Sequence, residues 1–82
     1  MKNVEIVHDA AQRCFYIALE HGHAVLEYQL LPGQVVNFSR TYVPLEYRNH
    51  GLAEKLVRSG LAWANQQGLK VKATCWYVQK FL

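Results

Sequence analysis

Apolar residues recur at every second position through the first half of the chain, and the period changes to helical after Pro44. Val4 to His8 alternates weakly and predicts a first strand, followed by a turn over Asp9-Ala10-Ala11-Gln12. Arg13 to Glu20 predicts a second strand, with Phe15, Ile17 and Leu19 on one face and Cys14, Tyr16 and Ala18 on the other. His21-Gly22 turns the chain. His23 to Leu31 follows as a third strand, setting Ala24, Leu26, Tyr28 and Leu30 against Val25, Glu27 and Gln29. Pro32-Gly33 is a type II turn signal. Gln34 to Val43 predicts a fourth strand, with Val36, Phe38 and Tyr42 opposed to Val35, Asn37, Ser39 and Thr41. Short turns between these strands imply an antiparallel meander. Pro44 ends it, because it donates no hydrogen bond and holds Val43 extended.

From about His50 to Gln67, Leu52, Leu56, Gly60 and Trp63 or Ala64 recur every three or four residues, and Val57 and Leu61 widen the stripe. Glu54, Lys55, Arg58, Gln66 and Gln67 fall on the polar side, and Gly68 is a helix stop. Leu69 to Thr74 predicts a fifth strand and Trp76 to Leu82 a short closing helix. The expected fold class is α/β (α+β): a mostly antiparallel five-stranded sheet, one long helix and a short C-terminal helix.

Composition narrows the function more than the fold. The 82 residues suit one domain, 1–82, and 51% hydrophobic content excludes disorder. The net charge of +3 suits an anionic ligand but is too weak a bias to argue for nucleic acid. Lys2 is followed by polar residues, and no run reaches the roughly 18–20 apolar residues of a membrane span. A soluble, cytoplasmic protein is therefore expected. Cys14 and Cys75 form neither a disulfide framework nor a metal-ligand spacing. His21 and His23 flank Gly22 without a carboxylate or thiol partner, so a solvated turn is expected there and no metal.

Val43 to Ala53 carries the first candidate chemistry. It ends a strand, crosses a short basic loop and opens a helix, which aims free backbone N–H groups at one point, a ready anion site. Gly51 and Ala53 allow close backbone approach, Arg48 adds a charge, and Lys55 and Arg58 lie within two helical turns. Asn49 or His50 is the expected N-cap. The alternative is a plain strand–loop–helix junction with a capping Asn and a surface Arg.

From Tyr42 to Leu82 the chain resembles the small single-domain GNAT-like N-acetyltransferases. The matching residues are Val43-Pro44, Arg48, Gly51-Leu52-Ala53, Leu56-Val57, Ala62, Gly68-Leu69-Lys70-Val71, Cys75 and Tyr77-Val78. The resemblance implies a truncated acetyltransferase that keeps the acetyl-CoA half and lacks most of the acceptor half. It implies that Arg48, Asn49, His50, Gly51, Leu52, Ala53 and Lys55 hold the pyrophosphate of acetyl-CoA. The pantetheine arm would enter between the fourth and fifth strands and pair near Tyr42 and Val43. The implied reaction is acetyl transfer to an amine of unknown identity. Asn49 stands where the family usually has a loop Gly, and Tyr42 where it commonly has Glu, so an acidic base is absent at that position.

Cys75 follows the fifth strand directly. A helix N-terminus and Lys72 nearby would favour its thiolate, making it a candidate nucleophile that accepts the acetyl group; its alternative is a small buried hydrophobe. Tyr77 resembles the family tyrosine that protonates the departing CoA thiolate, or is a packing aromatic. His8, His23 and Glu27 are further base candidates. Two other functions stay open: a CoA-binding protein without transferase activity, and a small basic nucleic-acid or protein module using Tyr16, Tyr28, Phe38 and Tyr42.

Overall fold

Alternation in the first half builds a meander in the computed structural model, which describes residues 4–82. Four strands follow in order: β1 (Val7–Asp9), β2 (Cys14–Leu19), β3 (Gly22–Leu31) and β4 (Val35–Tyr42). A 3-10 turn (Leu45–Tyr47), α1 (Leu52–Gln66), β5 (Lys70–Ala73) and α2 (Trp76–Gln79) complete the chain. The sheet order is β1-β2-β3-β4-β5, antiparallel except for β4 with β5, which are parallel. That exception follows from the helix between them: α1 carries the chain back along the sheet, so β5 starts at the same end as β4.

β1 is shorter and later than Val4 to His8. Its ladder begins at Val7↔Tyr16 and ends at Asp9↔Cys14, while Val4 and Ile6 pack at the edge of the core. Gly33, with φ +81°, takes the left-handed position that the Pro32-Gly33 turn requires.

α1 lies across one face of the sheet. Leu52, Leu56, Val57, Gly60 and Ala64 are its buried stripe, set against Phe15, Ile17, Ala24, Leu26, Tyr28, Val36 and Phe38. The helix stops where Gly68 was expected to stop it. Gly68 adopts φ +70°, its N–H donates to the Asn65 carbonyl and the Leu69 N–H donates to the Ala64 carbonyl, the paired bonds of a Schellman cap. α2 ends at Gln79 rather than Leu82. Its last bonds, Phe81 N–H to Val78 and Leu82 N–H to Gln79, are of the tighter i to i+3 kind.

One half-buried imidazole ties β1 to this core. His8 stacks on Phe15 with ring centroids 4.1 Å apart, meets Trp63 edge-on and lies 2.7 Å from the Tyr28 hydroxyl. Burial lowers the His8 pKa from its ordinary 6.5, against a weaker upward pull from Asp9. The unfolded chain therefore binds this proton more readily than the folded one. The stability contributed by neutral His8 is complete above about pH 6.5 and is lost as pH falls through the folded pKa. Urea unfolding at a series of pH values should show the midpoint dropping below about pH 6.5, and His8→Phe should flatten that slope. An equally steep slope in His8→Phe would assign the effect elsewhere.

Candidate active site

The parallel pair β4–β5 holds together for four registered pairs and then parts. Val35↔Lys70 to Phe38↔Ala73 are in register, and beyond them the Phe38 carbonyl accepts both the Thr74 and the Cys75 N–H. Asn37, a buried polar residue of the core, secures the parting point. Its Oδ1 accepts the Thr74 N–H at 3.1 Å, and its Nδ2 donates to Thr74 Oγ1 and Gln29 Oε1. All three groups are satisfied, which is the condition for a buried amide to stabilise rather than cost. The result is a fork, with Ser39 to Tyr42 on one arm and Cys75 on the other.

A bulge in β4 decides what faces into this fork. Tyr28 pairs with Phe38 but Glu27 pairs with Arg40, leaving Ser39 without a partner. One extra residue reverses the faces of everything after it. Thr41 now stands opposite Leu26, on the face toward the helices, and Tyr42 stands opposite Val25, on the outer face with Arg40. The expected series Val36, Phe38, Tyr42 is thus corrected: Tyr42 leaves the core face, is 40% exposed, and carries the Arg40 guanidinium 5.2 Å from its ring centre.

Cys75 occupies the other arm as the N-cap of α2. Its Sγ lies 3.5 Å from Thr41 Oγ1. Burial alone would raise its pKa. That effect is outweighed by the Thr41 hydroxyl and by the backbone N–H groups of Val78, Tyr77 and Thr41, so the thiol is more acidic than usual. These donors, and not Lys72, are what act on it; Lys72 sits on β5 in register with Asn37. Cys14 is the contrast. Burial, Asp9 and Glu27 all raise its pKa, leaving a less acidic thiol.

Tyr77 follows in α2, half-buried, with its ring 5.3 Å from Phe81. Burial and the Glu54 carboxylate raise its pKa, partly offset by Arg58, so the hydroxyl keeps its proton.

The loop from Val43 to Gly51 is anchored at both ends. Pro44 is buried, and the Tyr47 hydroxyl accepts the His21 N–H from the β2–β3 turn. Arg48 donates from Nε to the Val43 carbonyl at 2.9 Å, which stiffens the loop and occupies one of the β4-side acceptors. Asn49 takes φ +70°, the left-handed conformation required of it in place of Gly. The N-cap is Gly51, with φ +75°, and neither Asn49 nor His50. Asn49 and Gly51 are both left-handed, the helix begins one residue later than expected, and no side chain caps it.

The first intrahelical bond runs from the Lys55 N–H to the Gly51 carbonyl, so the N–H groups of Leu52, Ala53 and Glu54 have no helical acceptor. A Cβ built at Gly51 meets no atom within 4 Å. Leu52 contributes only its backbone, since its side chain is core. Lys55 is exposed, while Arg58 is committed to Glu54 at 2.8 Å.

The other base candidates lie elsewhere. His8 is under Trp63, His23 packs edge-on to Tyr16, and Glu27 is paired with Arg40 at 3.0 Å across the outer face. Among the described residues no cluster of His, Cys, Asp or Glu can hold a metal, and no helix is long and apolar enough to cross a membrane. Two residues of the fork were missed from the sequence, Asn37 and Thr41. Arg40 held the signal: in unbroken alternation it would have followed Val36 and Phe38 onto the helix-covered face, where an unpaired guanidinium is not tolerated.

A sheet that splits between β4 and β5, with a left-handed loop leading into the helix between them, defines an acyltransferase-like fold. The chain belongs to the GCN5-related N-acetyltransferase family, whose model matches residues 14–82. Protein NATD1 from Gallus gallus and from Homo sapiens are each 35% identical over 81 residues, or 96% of this chain and 74% and 72% of those proteins. NATD1 from Xenopus tropicalis is 32% identical over 82 residues. Among solved structures, a GCN5-like protein from Staphylococcus aureus superposes with a TM-score of 0.75 at 25% identity, covering 99% of this chain and 79% of that one.

Proposed function

We propose that this domain binds acetyl-CoA and transfers its acetyl group to an amine, with the pyrophosphate at the Arg48–Ala53 loop and the thioester in the β4–β5 fork. The observation that carries the proposal is the fork itself: an acidified thiol in contact with the Thr41 hydroxyl, at the end of the strand whose partner runs straight into the anion loop. The loop suits a diphosphate, because the N–H groups of the first turn lack helical acceptors and the space beside Gly51 is open. Arg48, Lys55 and the left-handed pair Asn49 and Gly51 would frame it.

In this reading the Cys75 thiolate attacks the acetyl carbonyl. A new S–C bond forms, the thioester C–S bond breaks, and Tyr77 protonates the departing thiolate. The acceptor amine then attacks S-acetyl-Cys75: an N–C bond forms, the S–C bond breaks to release the thiolate, and the proton lost by the amine returns to the Tyr77 phenolate. Attack by the amine directly on the thioester is the other route. The protein would act in the cytoplasm, where free thiols such as Cys14 and Cys75 persist. A CoA-binding role without turnover is the second reading; it is favoured by Tyr42 on the outer face and by Glu27 tied to Arg40, which leave no carboxylate from β3 or β4 in the fork.

Gly51→Glu tests the binding step. It puts a carboxylate into the anion space and forces a side chain onto φ +75°, a backbone cost of about 1–2 kcal/mol that the fold should tolerate. Calorimetric titration should show acetyl-CoA affinity down by at least about tenfold, equivalent to ~1.4 kcal/mol. Unchanged affinity in the folded variant would remove the loop from the site.

A further inference from the structure

We propose that Thr41 is a positioning residue: the β4 bulge turns its hydroxyl onto Cys75 Sγ, and this contact holds the sulfur in the fork and favours its thiolate form. The proposal rests on the reading of Cys75 as nucleophile and adds the residue that prepares it. Three features of the geometry converge on it. Ser39 is the extra residue of the bulge, and its hydroxyl donates to the Glu27 carbonyl, which secures the distortion. The bulge sets Thr41 opposite Leu26 rather than outward, half-buried and 3.5 Å from the sulfur. On the opposite arm, the Asn37–Thr74 bonds and the double acceptance by the Phe38 carbonyl fix where Cys75 begins. The sulfur and the hydroxyl thus meet from two strand ends that are each held independently.

A hydroxyl facing a thiol can accept from it or donate to it. Facing a thiolate it can only donate, and a charge-assisted bond is about twice as strong as a neutral one. The contact therefore favours deprotonation. β-Branching at 41 leaves χ1 few choices, which suits a hydroxyl that must stay aimed.

The test is alkylation of the full chain by iodoacetamide over a range of pH, without acetyl-CoA, with peptide mass mapping to separate Cys75 from Cys14. Wild-type Cys75 should titrate below Cys14. Thr41→Val keeps the shape and loses the hydroxyl. It should raise the Cys75 midpoint by about one pH unit, making the reaction about tenfold slower near neutral pH, while Cys14 is unchanged. Thr41→Ser should restore most of the wild-type profile, which a purely space-filling role would not predict.

If Thr41→Val opens the fold, Cys14 reactivity will rise with it. The pair Thr41→Ser and Thr41→Ala then decides, since both lose the methyl and only one keeps the hydroxyl. Equal Cys75 profiles in that pair, or a Thr41→Val profile matching wild type, overturn the proposal. A wild-type Cys75 that titrates with Cys14 instead overturns the nucleophile reading beneath it.

Discussion

Gly60→Val should cost about 3 kcal/mol or more and leave a protein of this size close to unfolding. Gly60 lies where α1 comes nearest the sheet. A Cβ built there falls 2.8 Å from Leu26 Cδ2 and 2.9 Å and 3.2 Å from two ring atoms of Phe38. Neither neighbour has solvent to move into, because both are fully buried. Alanine meets this clash with one carbon and recovers about 1 kcal/mol of helix propensity, so Gly60→Ala should be the milder change. Valine adds two methyls and a stiff χ1 to the same contact. The helix must then lift from β3 and β4, taking the first turn and its loop away from the fork. Urea denaturation of the three proteins measures this, and a valine variant with the wild-type midpoint would show that α1 is less tightly seated than its contacts require.

Cys75→Ser should abolish covalent acetylation altogether. Incubated with acetyl-CoA, the wild-type chain should gain about 42 Da, the mass of an acetyl group replacing hydrogen, when the thiolate captures the thioester carbonyl. Serine has nearly the same shape, but its hydroxyl is not ionised near neutral pH, so the donors of the fork no longer have an anion to hold. Cys14→Ser should gain the mass normally, because carboxylates and burial keep that thiol protonated. Intact-mass measurement separates these outcomes. A wild-type protein that binds acetyl-CoA but gains no mass would leave direct attack by the amine, or binding without turnover.

The fold was legible wherever burial has a period. The alternation in β2 and β3 and the stripe on α1 each carry about one signal per turn or residue pair, and Gly33 and Gly68 punctuate them at the positions their left-handed backbones occupy. The ends of the chain were less legible. β1 pairs for only three residues, and α2 tightens after Gln79, because a few residues at an edge have too little buried surface to set a pattern. The parallel direction of β5 is a consequence of the helix before it and has no local signature.

The candidate site was half legible as a set of residues that the fold brings together. Arg48 to Ala53 and Cys75 announce themselves by residue type. Thr41 and Asn37 do not, since a threonine or an asparagine in a strand usually faces water. Their roles come from a bulge and from a strand-end contact between residues far apart in the chain. The same bulge misplaced Tyr42, and the sharp turn at Asn49 and Gly51 moved the N-cap one residue beyond His50.

The contact between Thr41 and Cys75 spans 34 positions, and the Asn37–Thr74 latch spans 37. Neither can form until the chain between has folded back, which is an entropic cost collected only at the end of assembly. An incomplete chain, such as one still emerging during synthesis, carries an ordinary thiol at position 75 or none at all. The β1–β4 ladder is built from neighbours in sequence, whereas the surroundings proposed to activate Cys75 form only when β5 docks on β4. On the proposed chemistry, the thiol gains its reactivity only once β5 and α2 are in place.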